Sequence, residues 1–411
     1  MKNPVLCFAL LMLACSKVFS LGAGAAALTN LTLEAAVRIA LTNNPHLAEA
    51  YANMEAAEAR LASAGKLPNP DATARMEAAP FSSGTTSQAE YIAGISQAIP
   101  LGRRLSAARQ VERAGLELRR NELEAAAFAL RKSVHSAFAT ALFTFEALKL
   151  QTNLGTNIQE LLRITKARVE QGDAALLDLA RLEAEAAQHR LEIKEATYLN
   201  REAIRALAAT LGDFKTPIQS LAGNLEDALE IETIRDAGFP IDAHPAVAAM
   251  ESAAEAQRAR VRLAQAERIP DVNLDLFYRR LQGSRENSFD VGIRIPIPIL
   301  DNKRSRVREA ESELRAAQAR FEMTRNQIGV ELQARKLALE KALDTVVVLK
   351  NEVVPKIESI SRAAEARYTA GDTSLSEYLI VRRDASAYRL VYLEALRSLM
   401  ESWAGLQAYS R

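Results

Sequence analysis

Residues 270–298 read PDVNLDLFYRRLQGSRENSFDVGIRIPIP, a stretch in which apolar and polar side chains alternate. Every second residue is apolar from Val272 to Tyr278 and again from Phe289 to Ile297, with a polar turn between the two runs. A period of two is typical of a β-strand that has one apolar face and one polar face. The stretch therefore predicts a hairpin of two strands, at about 271–281 and 288–298.

The same pattern occurs about 200 residues earlier in the chain. Alternation over residues 71–80 and 89–99 predicts a second hairpin. Paired landmarks recur in the same order at offsets of 198 to 200 residues: Asn44-Pro45 with His244-Pro245, Pro70-Asp71 with Pro270-Asp271, Gly94-Ile95 with Gly292-Ile293, and Gly172-Asp173 with Gly371-Asp372. We interpret the chain as a tandem repeat with a first half at 28–212, a connector at 213–243 and a second half at 244–411.

A very long helix follows the hairpin in each half. The predicted helix at 102–171 holds 70 residues, which corresponds to about 105 Å at 1.5 Å per residue. In the second half Leu332, Leu339, Val346 and Val353 are seven residues apart, which is the periodicity of a coiled coil. A solvated rod or a dimeric coiled coil explains these helices, but it does not explain the amphipathic strands.

The first residues have the pattern of an export signal. Lys2 precedes an apolar run from Pro4 to Cys15, which is too short to span a bilayer as a helix. Two cleavage sites remain open, because the signal peptide comprises residues 1–27, or 1–14 if Cys15 is lipidated. No later segment has eighteen uninterrupted apolar residues, so entry into a membrane requires β-strands in a closed barrel.

Strands of about ten residues with one apolar face are typical of outer-membrane barrels, although a half-buried sheet in a soluble protein has the same pattern. Four strands cannot close a transmembrane barrel, for which about eight is the practical minimum. The membrane interpretation therefore requires an oligomer in which each copy contributes two hairpins. The aromatic side chains available for the membrane interface are Phe81, Tyr91, Phe277, Tyr278 and Phe289.

The charges balance, with 52 Lys and Arg against 51 Asp and Glu, so nothing indicates a protein that binds nucleic acid. Four scattered histidines, and no cysteine after Cys15, indicate neither a metal site nor a cysteine nucleophile. No phosphate-binding loop or Ser-His-Asp order is present. We therefore expect no enzymatic activity, no cofactor and no metal site.

Several short motifs resemble the TolC-type outer-membrane efflux factors, over about residues 30 to 409. The motifs are Leu31-Thr32-Leu33-Glu34-Ala35-Ala36, Asn43-Asn44-Pro45, Leu67-Pro68-Asn69-Pro70, Ile95-Ser96-Gln97, Leu101-Gly102-Arg103-Arg104, Arg268-Ile269-Pro270-Asp271 and both Gly-Asp pairs. The stretch at 96–102 most resembles the CzcC-like branch that serves heavy-metal efflux. Arg103-Arg104 departs from the Gly-Lys-Arg that this branch often has.

The resemblance implies a mainly α-helical homotrimer in the outer membrane of a Gram-negative-type bacterium. Its four strands per copy are expected to close as a 12-stranded barrel, and its long coiled-coil helices as an α-barrel of twelve helices through the periplasm. The implied partners are further copies of the chain, outer-membrane lipid, a periplasmic adaptor and an inner-membrane pump of the resistance-nodulation-division (RND) type.

The resemblance also implies a passive channel, because the energy enters at the pump. Heavy-metal cations are the expected cargo, and drugs or another small solute are the alternative. A periplasmic adaptor fits less well, because its small domains rich in short strands are missing from this sequence. A structural coiled-coil protein fits less well because it needs no amphipathic hairpins.

Gly172 and Gly371 are placed to turn one long helix into the next, since glycine readily adopts a positive φ at a helix end. Each is followed by an aspartate, Asp173 or Asp372, which is able to cap the next helix. By the resemblance, these four residues are the expected tip turns that dock the adaptor.

The resemblance also gives candidates for a gate near the two tips. They are Tyr368, Asp178 and Glu377, with Arg168 and Arg367 as charged neighbours. A ring of like carboxylates in a narrow opening selects for cations. The alternative is that these are ordinary solvated charges of a coiled coil.

Pro355 predicts a break in the second long helix, about 25 Å from Gly371. Its repeat partner is Thr156, beside Gly155, where we expect a corresponding soft point. Such a break is either a hinge for opening or a tolerated surface kink.

Overall fold

The computed structural model describes residues 28–77, 89–213, 215, 217–227 and 240–407. The expected signal peptide, with its candidate lipidation site Cys15, lies outside the described residues. The elements, in chain order, are α1 (Leu33–Asn43), α2 (Pro45–Ser63), β1 (Asp71–Glu77), β2 (Glu90–Ile99), α3 (Arg104–Glu170), α4 (Leu176–Thr210), α5 (Pro245–Ala266), β3 (Val272–Leu281), β4 (Asn287–Arg294), α6 (Arg304–Val348), α7 (Val354–Ala370) and α8 (Leu375–Gln407).

The predicted very long helix is confirmed, since α3 runs without interruption for 67 residues, or about 100 Å. It packs along α4, α5, α2 and α8, and α8 in turn packs along α6 and α7. A helix of this length is stable only where neighbours bury its apolar stripe. Each half therefore contributes one pair of long helices, α3 with α4 and α6–α7 with α8.

The main hydrophobic core lies where the two helix pairs meet α1. Its fully buried side chains include Phe138, Leu207, Val346 and Leu399, one each from α3, α4, α6 and α8. The heptad positions Leu332, Leu339 and Val346 are all buried in this core, as their spacing predicts.

The break predicted at Pro355 is confirmed. Residues Leu349–Val353 form a π-helical turn between α6 and α7. Proline has no N–H, and its ring crowds the carbonyl group four residues earlier, so a widened turn relieves the clash. The corresponding prediction at Thr156 is wrong. Thr156 lies inside continuous α3, where its hydroxyl donates to the carbonyl oxygen of Thr152 at 3.1 Å.

Two residues at equivalent positions of the repeat cap the short helices that precede the hairpins. Asn44 Oδ1 accepts a hydrogen bond from the N–H of His46 at 2.9 Å, at the start of α2. His244 Nδ1 accepts one from the N–H of Ala246 at 3.1 Å, at the start of α5. The two halves therefore solve the same capping problem with different side chains.

The described strands form one antiparallel sheet in the order β1-β2-β3-β4. β2 pairs with β3 from Glu90 opposite Leu281 to Ile99 opposite Val272, so the sheet joins the hairpins of the two halves. β4 ends at Arg294, whereas the sequence predicts strand up to residue 298. Pro296 and Pro298 lack the N–H groups that a strand ladder needs, which explains the earlier end. The predicted residues 78–80 of the first strand lie outside the described part.

Candidate functional site

One face of the sheet is apolar and exposed. Ile95, Leu276 and Val291 are cross-strand neighbours, and they form one row across this face. Val291 is 79% exposed and Phe289 is 75% exposed. The predicted alternation is therefore confirmed for the described strands. The described residues of one chain leave this face uncovered, and an exposed apolar face of this size is typical of a surface that contacts lipid or another protein.

The opposite face of the sheet carries paired charges. Arg279 donates to Glu90 at 2.8 Å and to Asp290 at 3.1 Å, which links three strands. Arg294 donates to Asp275 at 3.0 Å, and Asp275 also accepts a hydrogen bond from Ser96. The alternation places these residues on one face, but only the strand register identifies the pairs.

Phe277 does not belong to an aromatic girdle on the apolar face, contrary to the prediction. It lies on the charged face directly opposite Gly94, where a side chain on the glycine would overlap its ring. Tyr278 and Phe289 do share the apolar face, with ring centroids 5.5 Å apart. Tyr91 lies on the same face, on the strand next to that of Tyr278, and Phe81 lies outside the described residues.

Gly172 and Gly371 end α3 and α7 in the left-handed conformation, with φ of 81° and 83°. In both turns the glycine N–H donates three residues back, to Val169 at 3.0 Å and to Tyr368 at 3.1 Å. In both, the next N–H donates five residues back, at 2.8 Å. These bonds define a Schellman motif, so the predicted glycine turns are confirmed at both tips.

The prediction that Asp173 and Asp372 cap the following helices is wrong. α4 begins after Ala175 with no side-chain capping bond. In the second tip, Ser374 Oγ accepts from the N–H of Glu377 at 3.2 Å. Both aspartates instead follow the glycine directly and lie in the turn, where their backbone N–H groups serve the Schellman motif.

Tyr368 stacks on Tyr378, a residue that the sequence analysis did not select. The ring centroids are 5.0 Å apart and the ring planes differ by 9°. Tyr378 is buried beside Leu182 and Leu375, in a small cluster that joins the two helix pairs near the tips. Its hydroxyl accepts a hydrogen bond from Arg382 at 3.1 Å. The sequence does indicate that Tyr378 is buried, because residues 375 and 378 are both apolar and lie one turn apart on one face of a helix.

The other gate candidates are not brought together within one chain. Glu377 accepts a hydrogen bond from Thr373 at 2.6 Å, and Arg367 donates to the carbonyl oxygen of Asp372 at 3.4 Å. Asp178 is half-buried at the start of α4, and Arg168 is exposed on α3. Among the described residues, no ion pair joins these carboxylates to these arginines.

A cleft of about 670 Å³ lies between α3 and the α7–α8 pair, close to the tips. Arg168, Tyr368, Tyr378 and Arg382 contribute to its walls, together with Glu160. In the part of the chain that the structure describes, no group of three or more His, Cys, Asp or Glu residues is placed to hold a metal ion. The same part contains no helix that is both long and apolar enough to cross a membrane.

Comparison with known proteins places these features in a family. The family model described as outer membrane efflux protein matches residues 36–213 and 241–410, which is most of both halves. The cobalt-zinc-cadmium resistance protein CzcC of Cupriavidus metallidurans is 26% identical over 372 residues, covering 89% of this chain and 86% of that protein. The resemblance read from the sequence motifs is thereby confirmed.

Solved structures have the same fold. A membrane protein from Pseudomonas aeruginosa superposes with a TM-score of 0.76 at 20% identity, covering 92% of this chain and 90% of that one. The MtrE outer membrane channel of Neisseria gonorrhoeae, in its open state, gives a TM-score of 0.73 at 17% identity, covering 92% and 88%. The homologous proteins are efflux channels and not enzymes. From its helix pairs, its sheet and its match over both halves, this chain belongs to the outer membrane efflux protein family.

Proposed function

We propose that three copies of this chain form a passive channel of a three-part efflux system, with its sheet in the outer membrane and its helices in the periplasm. A periplasmic adaptor and an inner-membrane pump of the RND type deliver the cargo. The single observation that carries the proposal is the four-stranded sheet, which exposes one apolar face and has two open edges next to helices about 100 Å long. Such a sheet satisfies its backbone in lipid only as part of a closed barrel.

The trimer follows from the strand count. Three copies supply twelve strands, which is enough for a barrel with an open lumen, whereas one copy supplies four. Twelve long helix segments then line a tunnel below the barrel. The charged face of the sheet points inward in this arrangement, where Arg279 and Arg294 are already paired with carboxylates within each copy.

The two Schellman turns are the proposed docking points for the adaptor. Gly172 with Asp173 and Gly371 with Asp372 lie at the ends of α3 and α7, exposed and with open space around each glycine. Tyr368, Asp178, Glu377, Arg168 and Arg367 remain the proposed gate. In one chain they are separate, so their contacts are expected to form between neighbouring copies.

Heavy-metal cations are the proposed cargo, because the relative in Cupriavidus metallidurans is a cobalt-zinc-cadmium resistance protein. The described residues include no metal-binding cluster.

The test is a deletion strain complemented with the wild-type gene, grown on cobalt, zinc, cadmium and a panel of drugs. We expect complementation to restore metal resistance and to require an adaptor and a pump. Restored drug tolerance without metal resistance would support the alternative cargo, and no phenotype with the protein in the inner membrane would contradict the channel.

Gly371→Pro is the matched variant for the tip. Proline has no N–H to donate to the carbonyl oxygen of Tyr368, and its ring cannot adopt the positive φ of this turn. We expect trimers to remain in the outer membrane while efflux is lost. Normal resistance in this variant would contradict the docking role of the turn.

A further inference from the structure

The two halves of the chain contact each other beside the middle of the sheet. We call this contact the internal interface. The end of β2 and the start of α3 lie against the segment from α5 into β3. Arg104, the first residue of α3, makes an ion pair with Asp271. Gly102, in the turn before α3, lies so close to Ile269 that a side chain on the glycine would overlap it. Two positive-φ residues, Gly102 and Arg103, shape this turn.

The repeat places equivalent residues at the two outer ends of the molecule. Asp71 corresponds to Asp271, and Arg304 corresponds to Arg104 as the first residue of α6. Lys303 precedes Arg304 with a φ of 55°, as Arg103 precedes Arg104 with a φ of 61°. Asp71 and Arg304 are both exposed and, among the described residues, neither makes an ion pair.

The apolar part of the interface shows the same contrast. Ile99, at the end of β2, is half-buried opposite β3, whereas its counterpart Ile297 is 77% exposed. The segment from Ile295 to Leu300 has every large side chain exposed, and Leu300 is entirely open. On the opposite edge of the sheet, residues 66–70 before β1 are also exposed. Each edge of the sheet therefore exposes the counterpart of one side of the internal interface.

We infer that neighbouring copies repeat the internal interface, so that Arg304 of one copy pairs with Asp71 of the next, and residues 66–70 cover the apolar segment after β4. This inference rests on the proposed function, because it requires a ring of copies. A heterologous contact of this kind closes into a ring when the repeated rotation adds up to a full turn without a shift along the axis, and otherwise it gives an open filament.

The repeat also determines the register between β4 of one copy and β1 of the next. Within the chain Ile95 lies opposite Leu276. Applying the repeat offsets places Ile293 of one copy opposite Met76 of the next. Side chains on a strand alternate between faces, so a slip of one residue would turn the apolar side chains inward. The register is therefore a definite prediction about one residue pair.

Charge reversal tests the ion pair. We expect Asp71→Arg and Arg304→Asp each to weaken every contact between copies about fivefold, at the upper end for a partly exposed pair, and so to lower the ratio of trimer to monomer in outer membranes. The double variant should restore that ratio to nearly the wild-type value. Arg306→Asp is the matched control, because it lies two residues further along α6 and on another face. Singles without effect, or a double without rescue, would overturn the ion pair.

Disulfide trapping tests the register without depending on charge. The only native cysteines are Cys7 and Cys15, so a pair introduced elsewhere is diagnostic. We expect Ile293→Cys with Met76→Cys to give covalently linked trimers on oxidation. Ile293→Cys with Ala72→Cys should give none, because that pair is displaced by four residues and exceeds the reach of a disulfide. Trimers that link only through the displaced pair would overturn the inference and leave the channel proposal intact. The absence of trimers altogether would overturn both.

Discussion

The rings of Tyr368 and Tyr378 stack with their centroids 5.0 Å apart, which ties the last turns of α7 to the first turns of α8. Arg382 lies over the Tyr378 ring, 5.9 Å from its centroid, and donates to its hydroxyl. Leu182 of α4 packs in the same cluster, so this contact also joins the two helix pairs. The stack therefore holds the gate candidate Tyr368 against α8.

Replacing Tyr378 with alanine should loosen this end of the molecule. The change removes a buried ring, and large-to-small changes of this kind cost about 3 kcal/mol. We expect faster hydrogen–deuterium exchange in residues 364–380, with the sheet unaffected. Tyr378→Phe keeps the ring and is the control. Equal exchange in Tyr378→Ala and the wild type would contradict the role of the stack.

Replacing Gly371 with alanine should strain the tip without a steric clash. A Cβ at this position meets nothing within 4 Å, but the φ of 83° is unfavourable for a residue with a side chain. The cost is about 1–2 kcal/mol, which should increase proteolysis at this turn. Asparagine tolerates this conformation better, so Gly371→Asn should lie between alanine and the wild type.

Gly115→Ala is the opposite case, because Gly115 lies inside α3 with open space around it. We expect it to raise the stability of the channel slightly, by about 0.5–1 kcal/mol. Thermal unfolding of the purified protein measures both changes. A stabilising effect of Gly371→Ala would contradict the expected strain of an alanine at this φ.

Replacing Gly94 with alanine should disrupt the junction between the two hairpins. The new methyl group would overlap the Phe277 ring and the Leu276 carbonyl oxygen. Overpacking of this kind costs about 1–3 kcal/mol, so the amount of assembled channel should fall several-fold. Gly292→Ala is the matched control, since its nearest atom is the Asp275 Cβ at 3.5 Å. Equal amounts of both variants in outer membranes would contradict this account of Gly94.

His244 should make the stability of the protein depend on pH. Burial is the main reason that the pKa of the His244 imidazole lies below its ordinary value. The Glu331 carboxylate opposes this shift, and Lys132 and Arg335 reinforce it. The neutral ring also accepts the capping bond from Ala246. Because the folded pKa is below the unfolded one, the stabilisation is full above about pH 6.5 and is lost as the pH falls through the folded pKa.

His244→Asn removes this titration and keeps a capping side chain, as Asn44 does in the first half. We expect the Tm of the wild-type channel to fall from pH 7.5 to pH 5, and that of the variant to fall less. His135, whose pKa is also lowered by burial, is unchanged in both proteins, so the difference reports His244. A larger fall in the variant would reverse the assigned sign.

Much of the fold follows from patterns that are local in sequence. Alternation identifies the strands, and the absence of strong breakers identifies α3, because each property depends on neighbours a few residues away. The glycine turns follow for the same reason, since only the φ of one residue is at issue. The end of β4 does not follow from alternation, because Ile295 and Ile297 continue the apolar pattern past Arg294 while Pro296 and Pro298 lack the N–H groups of a strand.

The incorrect predictions at the site concern side-chain directions and contacts that depend on the three-dimensional arrangement of the elements. Phe277 was grouped by aromatic character with Tyr278, although adjacent strand residues point to opposite faces. Asp372 was expected to cap α8, but the helix begins at Leu375, so Ser374 is the residue in position. Tyr378 was missed because its partner Tyr368 lies across a turn, on another helix.

The two open edges of the sheet affect the biogenesis of the protein. Among the described residues, β1 and β4 each have one side without a strand partner, and the segment after β4 is bare. On the proposed route to the outer membrane, a newly translocated copy keeps these unpaired strand edges until it meets other copies of the chain. During that interval, misassembly through the edges competes with productive insertion. Overproduction should therefore increase the share of misassembled protein relative to inserted channel.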